Sequence, residues 1–376
     1  MSAATVSKLA FVDLLRGIAI LMVVVVHTAI VVPGLTGHLA QLVRYGQMGV
    51  QLFFVASAYT LALSFGRTAR DGVAVREFYI RRYWRIAPMY YLGIAAYFGL
   101  TLVKSILETG GVRALDPYTP LNVLANVLFM HGLYPPANNN IVPGGWSIGT
   151  EMLFYLVFPF LFGLAGRVHN RGGTGGVVAL VLGAVVVNVL FQAARVGTWA
   201  LSLPNNSFFY LSFVNQLPVF MIGLMAYFVI CDRDPRGHRE LFVDGGLFLA
   251  STALSWLLWQ QREWGWTFVF MPVAAGTSFY FLLLFARELP FRVRLIERIG
   301  QLSYSIYVVH FLLAWYVAPR IMQKLGLTDS PALNLLASLS FVLGAAAVVA
   351  KFTERYVEAR GIAVGAKAIV KMRLGS

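Results

Sequence analysis

FVDLLRGIAILMVVVVHTAIVV, residues Phe11–Val32, is the stretch whose reading decides the fold. It is apolar over a length that lets a helix cross a hydrocarbon core of about 30 Å at ~1.5 Å per residue. Yet it holds three ionisable residues, Asp13, Arg16 and His27. The eleven-residue step from Arg16 to His27 is three helical turns plus about 20°, so the two share a helix face roughly 16 Å apart along the axis. Asp13 lies one turn before Arg16, close enough to pair with it. Ionisable groups at such depth are costly, face the protein interior or a water-filled cavity, and mark functional paths. A plainer reading stands beside this one. Asp13 and Arg16 then anchor the helix at the inner headgroups, and His27 hydrogen-bonds a neighbouring helix.

Composition extends that reading to the whole chain. With 59% hydrophobic and 12% charged residues over 376 positions, and a mean hydropathy of +0.71, an ordinary soluble domain is excluded. The first apolar run is too long for a cleaved signal peptide, and no small-residue cleavage site precedes a polar mature region. A single cysteine, Cys231, excludes disulfide frameworks and thiolate metal sites. The net charge of +14 comes from short basic clusters between apolar segments, a pattern of anionic inner-leaflet contact rather than nucleic-acid binding.

The pattern predicts an all-α, polytopic transmembrane helix bundle, one membrane domain over residues 1–376, with no appended soluble domain. About ten spans are expected, at 11–32, 48–66, 86–103, 146–166, 177–195, 208–230, 244–261, 266–286, 300–318 and 332–351. The apolar piece Leu121–Leu133 is too short to span, and is expected at the surface or re-entering. With the N-terminus inside, 22 Lys and Arg fall on the inner side and 7 outside (Arg44, Lys104, Arg113, Arg195, Arg262, Arg320 and Lys324), with Arg16 in the first span. That bias sets both termini in the cytoplasm of a multi-pass protein of the cell (inner or plasma) membrane.

Topology gives the polar residues a depth. His27 falls near the outer end of the first span and Gln51 at a similar depth in the second. The fourth span enters from outside after Pro143-Gly144-Gly145 and carries Trp146, Ser147 and Glu151 in its first turns. His27, Gln51 and Glu151 thus share a level, whereas their contact depends on helix rotation. A structural carboxylate salt-bridged within the bundle is the other reading of Glu151. On the inner side, FYIRRYWRIAPMYYL (Phe78–Leu92) sets Arg81, Arg82 and Arg85 just before the third span, with Pro88 at the helix start. Guanidiniums beside aromatic rings suit phosphates and a stacked purine, and positive-inside anchoring explains them equally. GQLSYSIYVVHFLL (Gly300–Leu313) opens the ninth span with hydroxyls, Tyr304 among them, and puts His310 near mid-membrane as an interhelical hydrogen-bonder. No HExxH, P-loop or GxSxG occurs, and the six histidines lack metal-ligand spacing, so no metal is expected.

Taken together these segments resemble the acyltransferase-3 family of integral-membrane O-acyltransferases. Arg16-(ten residues)-His27 is similar to the family's first-helix motif, with Asp13 and Gly17 also fitting. GVQLFFVASAY (Gly49–Tyr59) resembles its second-helix GVDLFFVLSGF. Arg81–Pro88 matches RRxxRIxP, and WSIGTEMLFYL (Trp146–Leu156) resembles WSLSVEEQFYL. LSYSIYVVH (Leu302–His310) is similar to the late SYSIYLxH, and Glu354-Arg355 to the terminal ER(P). Gln51 stands where Asp is usual, Ala58 replaces Gly, Met152 replaces the second Glu, and Tyr356 stands where Pro is expected.

The resemblance implies transfer of an acyl group, commonly acetyl, from cytoplasmic acyl-CoA as co-substrate to a hydroxyl of a glycan or lipid-linked sugar. It implies His27 as general base, Glu151 beside it as orienting or sugar-binding acid, and Arg16, Arg81, Arg82 and Arg85 toward the donor. Asp13, Gln51, Trp146, Ser147 and Tyr304 are supporting residues. Formation of an acyl-histidine is the two-step alternative. The implied partners are acyl-CoA, the glycan acceptor and the lipid bilayer, with no nucleic acid and homo-oligomerisation left open. Two other readings remain at this stage: a transporter or flippase of lipid-linked saccharides, and acylation of a small secondary metabolite. Internal repeats and paired broken helices, frequent in transporters, are not evident in the sequence.

Overall fold

The computed structural model describes residues 3–67, 72–109, 115–196, 208–232, 238–262 and 266–374, and among these every regular element is helical. In chain order the helices are α1 (Ala3–Ala29), α2 (Gly37–Arg44), α3 (Gly49–Gly66), α4 (Gly72–Thr109) and α5 (Pro120–Val127). They continue with α6 (Gly145–Val196), α7 (Phe208–Leu211), α8 (Phe213–Asp232), α9 (His238–Gln260) and α10 (Thr267–Arg287). The last are α11 (Arg294–Gln301), α12 (Ser303–Leu312), α13 (Ala318–Lys324), α14 (Pro331–Thr353) and α15 (Ala359–Leu374), with π turns at Leu313–Val317 and Glu354–Glu358. Of the basic residues that orient the chain, Arg70, Arg113, Arg233 and Arg236 lie outside the described residues, as do the side chains of Lys8, Arg195 and Arg239.

Among the described residues, 9 helical segments are long and apolar enough to cross a membrane. One of them, Gly145–Ala194, contains both the fourth and the fifth expected spans. Its backbone breaks at Gly173 (φ 58°, ψ −154°), a conformation open to glycine and strained for other residues. With that break, the segments account for the ten expected crossings. The architecture is all-α and polytopic, as the hydropathy requires.

The boundaries depart from expectation where polar residues continue a helix. α4 begins at Gly72 rather than near 86, so Arg81, Arg82 and Arg85 lie inside it and Pro88 is well within the helix, not at its start. Hydropathy registers only the part of a helix suited to hydrocarbon, while the polar first turns of α4 are held by Glu77–Arg81 at 2.8 Å, an i,i+4 pair. Pro88 removes the amide that would meet the Trp84 carbonyl, and Gly361 of α15 packs there. A Cβ on Gly361 would sit 2.6 Å from that oxygen and 2.7 Å from the Pro88 ring. The last expected span likewise runs on, through the π turn and α15, to Leu374. The ninth starts at Ser303 after a separate α11 and extends through the π turn and α13 to Lys324. The short apolar piece after Thr119 forms α5, whose first turn is capped by the Thr119 hydroxyl accepting from the Asn122 amide at 3.2 Å.

The chain divides into two compact units, and each is described by itself. Unit 1 comprises Met1–Leu21, Gln47–Thr68 and Leu156–Gln301. In it the first part of α1 crosses α11 backbone to backbone. A Cβ on Gly17 would collide with the Ile296 carbonyl, and one on Gly300 with the Asp13 carbonyl. Small residues permit such close crossings in membranes. Asp13 Oδ2 accepts from Gln301 Nε2 at 3.0 Å, and Arg16 Nη2 donates to Thr60 Oγ1 at 3.3 Å. Helices α3, α8, α9 and α10 form the core, where Phe54 stacks on Phe220 with centroids 4.4 Å apart. The interruption between α7 and α8 leaves carbonyls to be met by side chains. Asn215 Nδ2 and Gln216 Nε2 both donate to Tyr210 O, at 2.9 and 2.8 Å. Gln51 Nε2 donates to Gln216 Oε1 at 3.0 Å, and Asn188 Nδ2 to Asn215 Oδ1 at 2.9 Å.

Unit 2 comprises Met22–Gly46, Ala69–Tyr155 and Leu302–Ser376. Here α4 packs along α15 and against α12, and α12 packs against α14. Glu77, buried on α4, pairs with Arg81 and with Arg373 near the end of α15, tying the two helices at that end.

The glycine crossing in unit 1 generates a prediction. Gly300→Ala should lower stability by about 1–3 kcal/mol through overpacking, whereas Gly246→Ala, with nothing within 4 Å of its Cβ, should be nearly neutral. Thermal unfolding of the detergent-purified variants checks this. Equal melting temperatures for both variants would mean that the α1–α11 crossing is loose.

Candidate active site

The site is assembled from the end of α1. His27 lies two residues before the helix stops at Ala29, so its carbonyl is one of those a helix end leaves without an amide. Trp315 Nε1 donates to that carbonyl at 3.1 Å. The imidazole is held as well: His27 Nδ1 is 3.2 Å from His310 Nε2 on α12. His310 is fully buried, and its Nδ1 faces the carbonyls of Tyr307 at 2.7 Å and Ile306 at 3.2 Å. His27 itself is only partly buried. The Phe311 ring packs against both imidazoles, with centroids 4.2 Å from His27 and 4.1 Å from His310. The π turn Leu313–Val317 follows at once and carries Trp315. Such turns recur at functional sites.

One turn before His310, the Tyr307 hydroxyl donates to Gly144 O at 2.9 Å and lies 2.7 Å from Ser147 Oγ. Gly144 has φ 75°, and a Cβ there would stand 2.7 Å from Phe311 and 2.9 Å from the Tyr307 hydroxyl. Glycine at this turn thus serves both a left-handed conformation and close approach. Trp146 and Ser147 are buried in the first turn of α6. Beneath that turn lies His131, with Nε2 2.9 Å from Gly145 O and 3.3 Å from the Tyr90 hydroxyl. A Cβ on Gly149 would be 2.6 Å from the same nitrogen. Burial lowers the His131 pKa below 6.5, so this support is neutral at physiological pH.

One turn further along α6, the Glu151 carboxylate accepts from the Tyr155 hydroxyl at 2.6 Å. It lies in Coulombic reach of Arg82, Tyr304 and Tyr307. The Arg82 guanidinium is 5.7 Å from the Phe78 centroid and 5.9 Å from that of Tyr155, a double cation–π contact. Arg81 is paired with Glu77, Arg85 is in Coulombic reach of Glu358, and Tyr304 donates to Ile86 O at 2.8 Å.

Unit 2 therefore holds His27, Trp146, Ser147, Glu151, Arg81, Arg82, Arg85 and Tyr304. Asp13, Arg16 and Gln51 belong to unit 1, with the partners given above. His310, expected as an interhelical hydrogen-bonder, is one, and its partner is His27 itself. Tyr307, Tyr155 and Trp315 were not singled out. The signals available for them were the i,i+3 step from Tyr307 to His310 and the i,i+4 step from Glu151 to Tyr155. Among the described residues no group of three His, Cys, Asp or Glu is placed to hold a metal.

Helices of this length and apolarity, with a polar constellation inside them, define a multi-pass membrane protein. The chain belongs to the acyltransferase-3 family, whose acyltransferase domain matches residues 9–350. It is similar to acyltransferase MdmB of Streptomyces mycarofaciens, 24% identical over 333 residues that cover 83% of this chain and 79% of that protein. It is also similar to exopolysaccharide production protein ExoZ of Rhizobium meliloti (strain 1021), 30% identical over 118 residues, 30% of this chain and 33% of that one. No solved structure matches the chain.

His131 carries a pH prediction. Its folded pKa lies below the 6.5 of the free side chain, so the unfolded chain gains its proton first as pH falls. The stability it supplies is complete above about pH 6.5 and shrinks below it. The melting temperature should fall between about pH 7 and pH 5, and less steeply for His131→Asn. Parallel curves for the two proteins would remove His131 from the account.

Proposed function

We propose that this acyltransferase moves an acyl group, acetyl in the simplest case, from acyl-CoA to a hydroxyl of a glycan or lipid-linked sugar, with His27 as general base. The observation that supports this reading is the His27 imidazole, partly accessible and fixed by Trp315 and His310 while His310 is sealed. A partly accessible, oriented imidazole suits proton transfer.

In the proposed step His27 Nε2 takes the acceptor hydroxyl proton as that oxygen attacks the thioester carbonyl. Collapse of the adduct breaks the C–S bond, and the imidazolium returns the proton to the departing thiolate, giving an ester and free CoA thiol. Glu151, held by the Tyr155 hydroxyl, serves the acceptor sugar rather than His27, as a hydrogen-bond acceptor. Basic residues of α4, chiefly Arg82 and Arg85, meet the donor phosphates. The acceptor class leans on the names of relatives: one is called an acyltransferase and the other an exopolysaccharide production protein. The cell membrane is the proposed location, with the acceptor read by the segment between residues 104 and 145.

Purified protein with labelled acyl-CoA tests the reading. His27→Ala should cut transfer by about 10²–10⁴ in protein that still folds and inserts, and activity within a few-fold of wild type would contradict it. Arg82→Gln with Arg85→Gln should weaken acyl-CoA binding, and added salt should weaken binding to the wild type. An unchanged dissociation constant would return these arginines to packing and anchoring.

A further inference from the structure

We infer that His310 is the positioning residue of the site, holding His27 in the tautomer that bears hydrogen on Nδ1 and keeps Nε2 as the open base. His310 Nδ1 faces two backbone carbonyls, Tyr307 O at 2.7 Å and Ile306 O at 3.2 Å, and a carbonyl only accepts. That nitrogen therefore carries the hydrogen. In a neutral imidazole the other nitrogen is then an acceptor, so His310 Nε2 offers a lone pair to His27 Nδ1 at 3.2 Å. The hydrogen between the rings belongs to His27 Nδ1, and the Val23 carbonyl, one helical turn back, is a further acceptor in reach of the ring. His27 Nε2 is left with its lone pair, on the imidazole of the pair that is not sealed.

The roles do not exchange. Both nitrogens of His310 are engaged and its side chain is 0% exposed, so it has no atom to present to a substrate. Phe311, against both rings, fixes their planes, and the Trp315 bond to the His27 carbonyl fixes the helix end that carries the base.

A neutral acceptor suits this place. A carboxylate behind His27 would need a permanent charge within apolar helices, at a large desolvation cost. An imidazole whose hydrogen is already committed to backbone offers a lone pair without that charge. When His27 takes a proton, its Nδ1–H bond to His310 becomes charge-assisted and strengthens. The interaction thus gains most in the protonated state, which is where a positioning group contributes to rate rather than to binding.

The kinetic half of this inference rests on the acyl-transfer reading, and the spectroscopic half does not. Ring-nitrogen ¹⁵N NMR of histidine-labelled wild type should find His27 with a protonated Nδ1 and an unprotonated Nε2, His27 being assigned by its loss in His27→Ala. His310→Phe should let His27 populate both tautomers, in unequal shares because the Val23 carbonyl stays in reach of the ring. His310→Gln, whose side-chain oxygen still accepts, should retain the wild-type signature. In kinetics, His310→Phe should lower kcat by about 10–100-fold, the scale seen for hydrogen-bond partners of metal-bound histidines. Donor KM should stay within about twofold, and His310→Gln should recover most of the loss. A wild-type His27 protonated on Nε2 would overturn the inference, whatever the activity. So would a His310→Phe protein with undiminished kcat. Should His310→Phe fail to fold, the wild-type spectrum and the Gln variant still decide. An active His27→Ala alongside the expected wild-type spectrum would instead overturn the acyl-transfer reading and leave the tautomer assignment standing.

Discussion

A polar group inside an apolar slab has to find its partner within the protein, and that constraint organises both units. In unit 1 it is met at the interruption between α7 and α8, where Asn215 and Gln216 cover the Tyr210 carbonyl and Gln51 and Asn188 close the network. In unit 2 it is met by Tyr307 on Gly144 and Ser147, and by His310 on its own helix backbone. The two solutions differ in what they leave over. The amides of unit 1 account for carbonyls that a broken helix would otherwise leave bare. The histidines of unit 2 satisfy one another and leave the His27 ring partly open. A constraint that elsewhere produces packing here leaves one imidazole of a bonded pair partly accessible.

Helix breaks are where this constraint becomes visible, and each has a local cause. Pro88 withholds an amide and Gly361 fills the gap beside the Trp84 carbonyl. Gly173 turns the long sixth helix through a left-handed residue. The π turn after α12 brings Trp315 to the exposed carbonyl of His27. None of these positions is strongly polar, so their effect is geometric: they direct neighbouring side chains.

The existence of the helices was legible in the sequence because twenty apolar residues in a row have few alternatives. Their ends were less so. The first turns of α4 are rich in arginine, and hydropathy reads them as loop although Glu77 and Arg81 hold them helical. That His27, Glu151 and the arginines are candidates was legible from spacing and from family likeness. Their partners were not, since a shared depth carries no information about rotation. His27, Gln51 and Glu151 stand at one expected level, yet Gln51 bonds Gln216, His27 bonds His310 and Glu151 bonds Tyr155. His310 is an interhelical hydrogen-bonder, as its place in an apolar helix implies, while the identity of its partner depends on helix rotation.

The central claim concerns α1. It is one helix, Ala3–Ala29, with Arg16 toward the end that the basic-residue bias sets in the cytoplasm and His27 close to the other. About 16 Å of helix rise separates them, and the reaction proposed above would carry the acyl group from a donor held by its phosphates inside to a hydroxyl outside. Sealed vesicles of known orientation test this most directly: labelled acyl-CoA is supplied only to the cytoplasmic face and a membrane-impermeant glycan acceptor only to the opposite one. The account predicts acylated glycan on the far side. Product formed only when both substrates share the cytoplasmic face would contradict it.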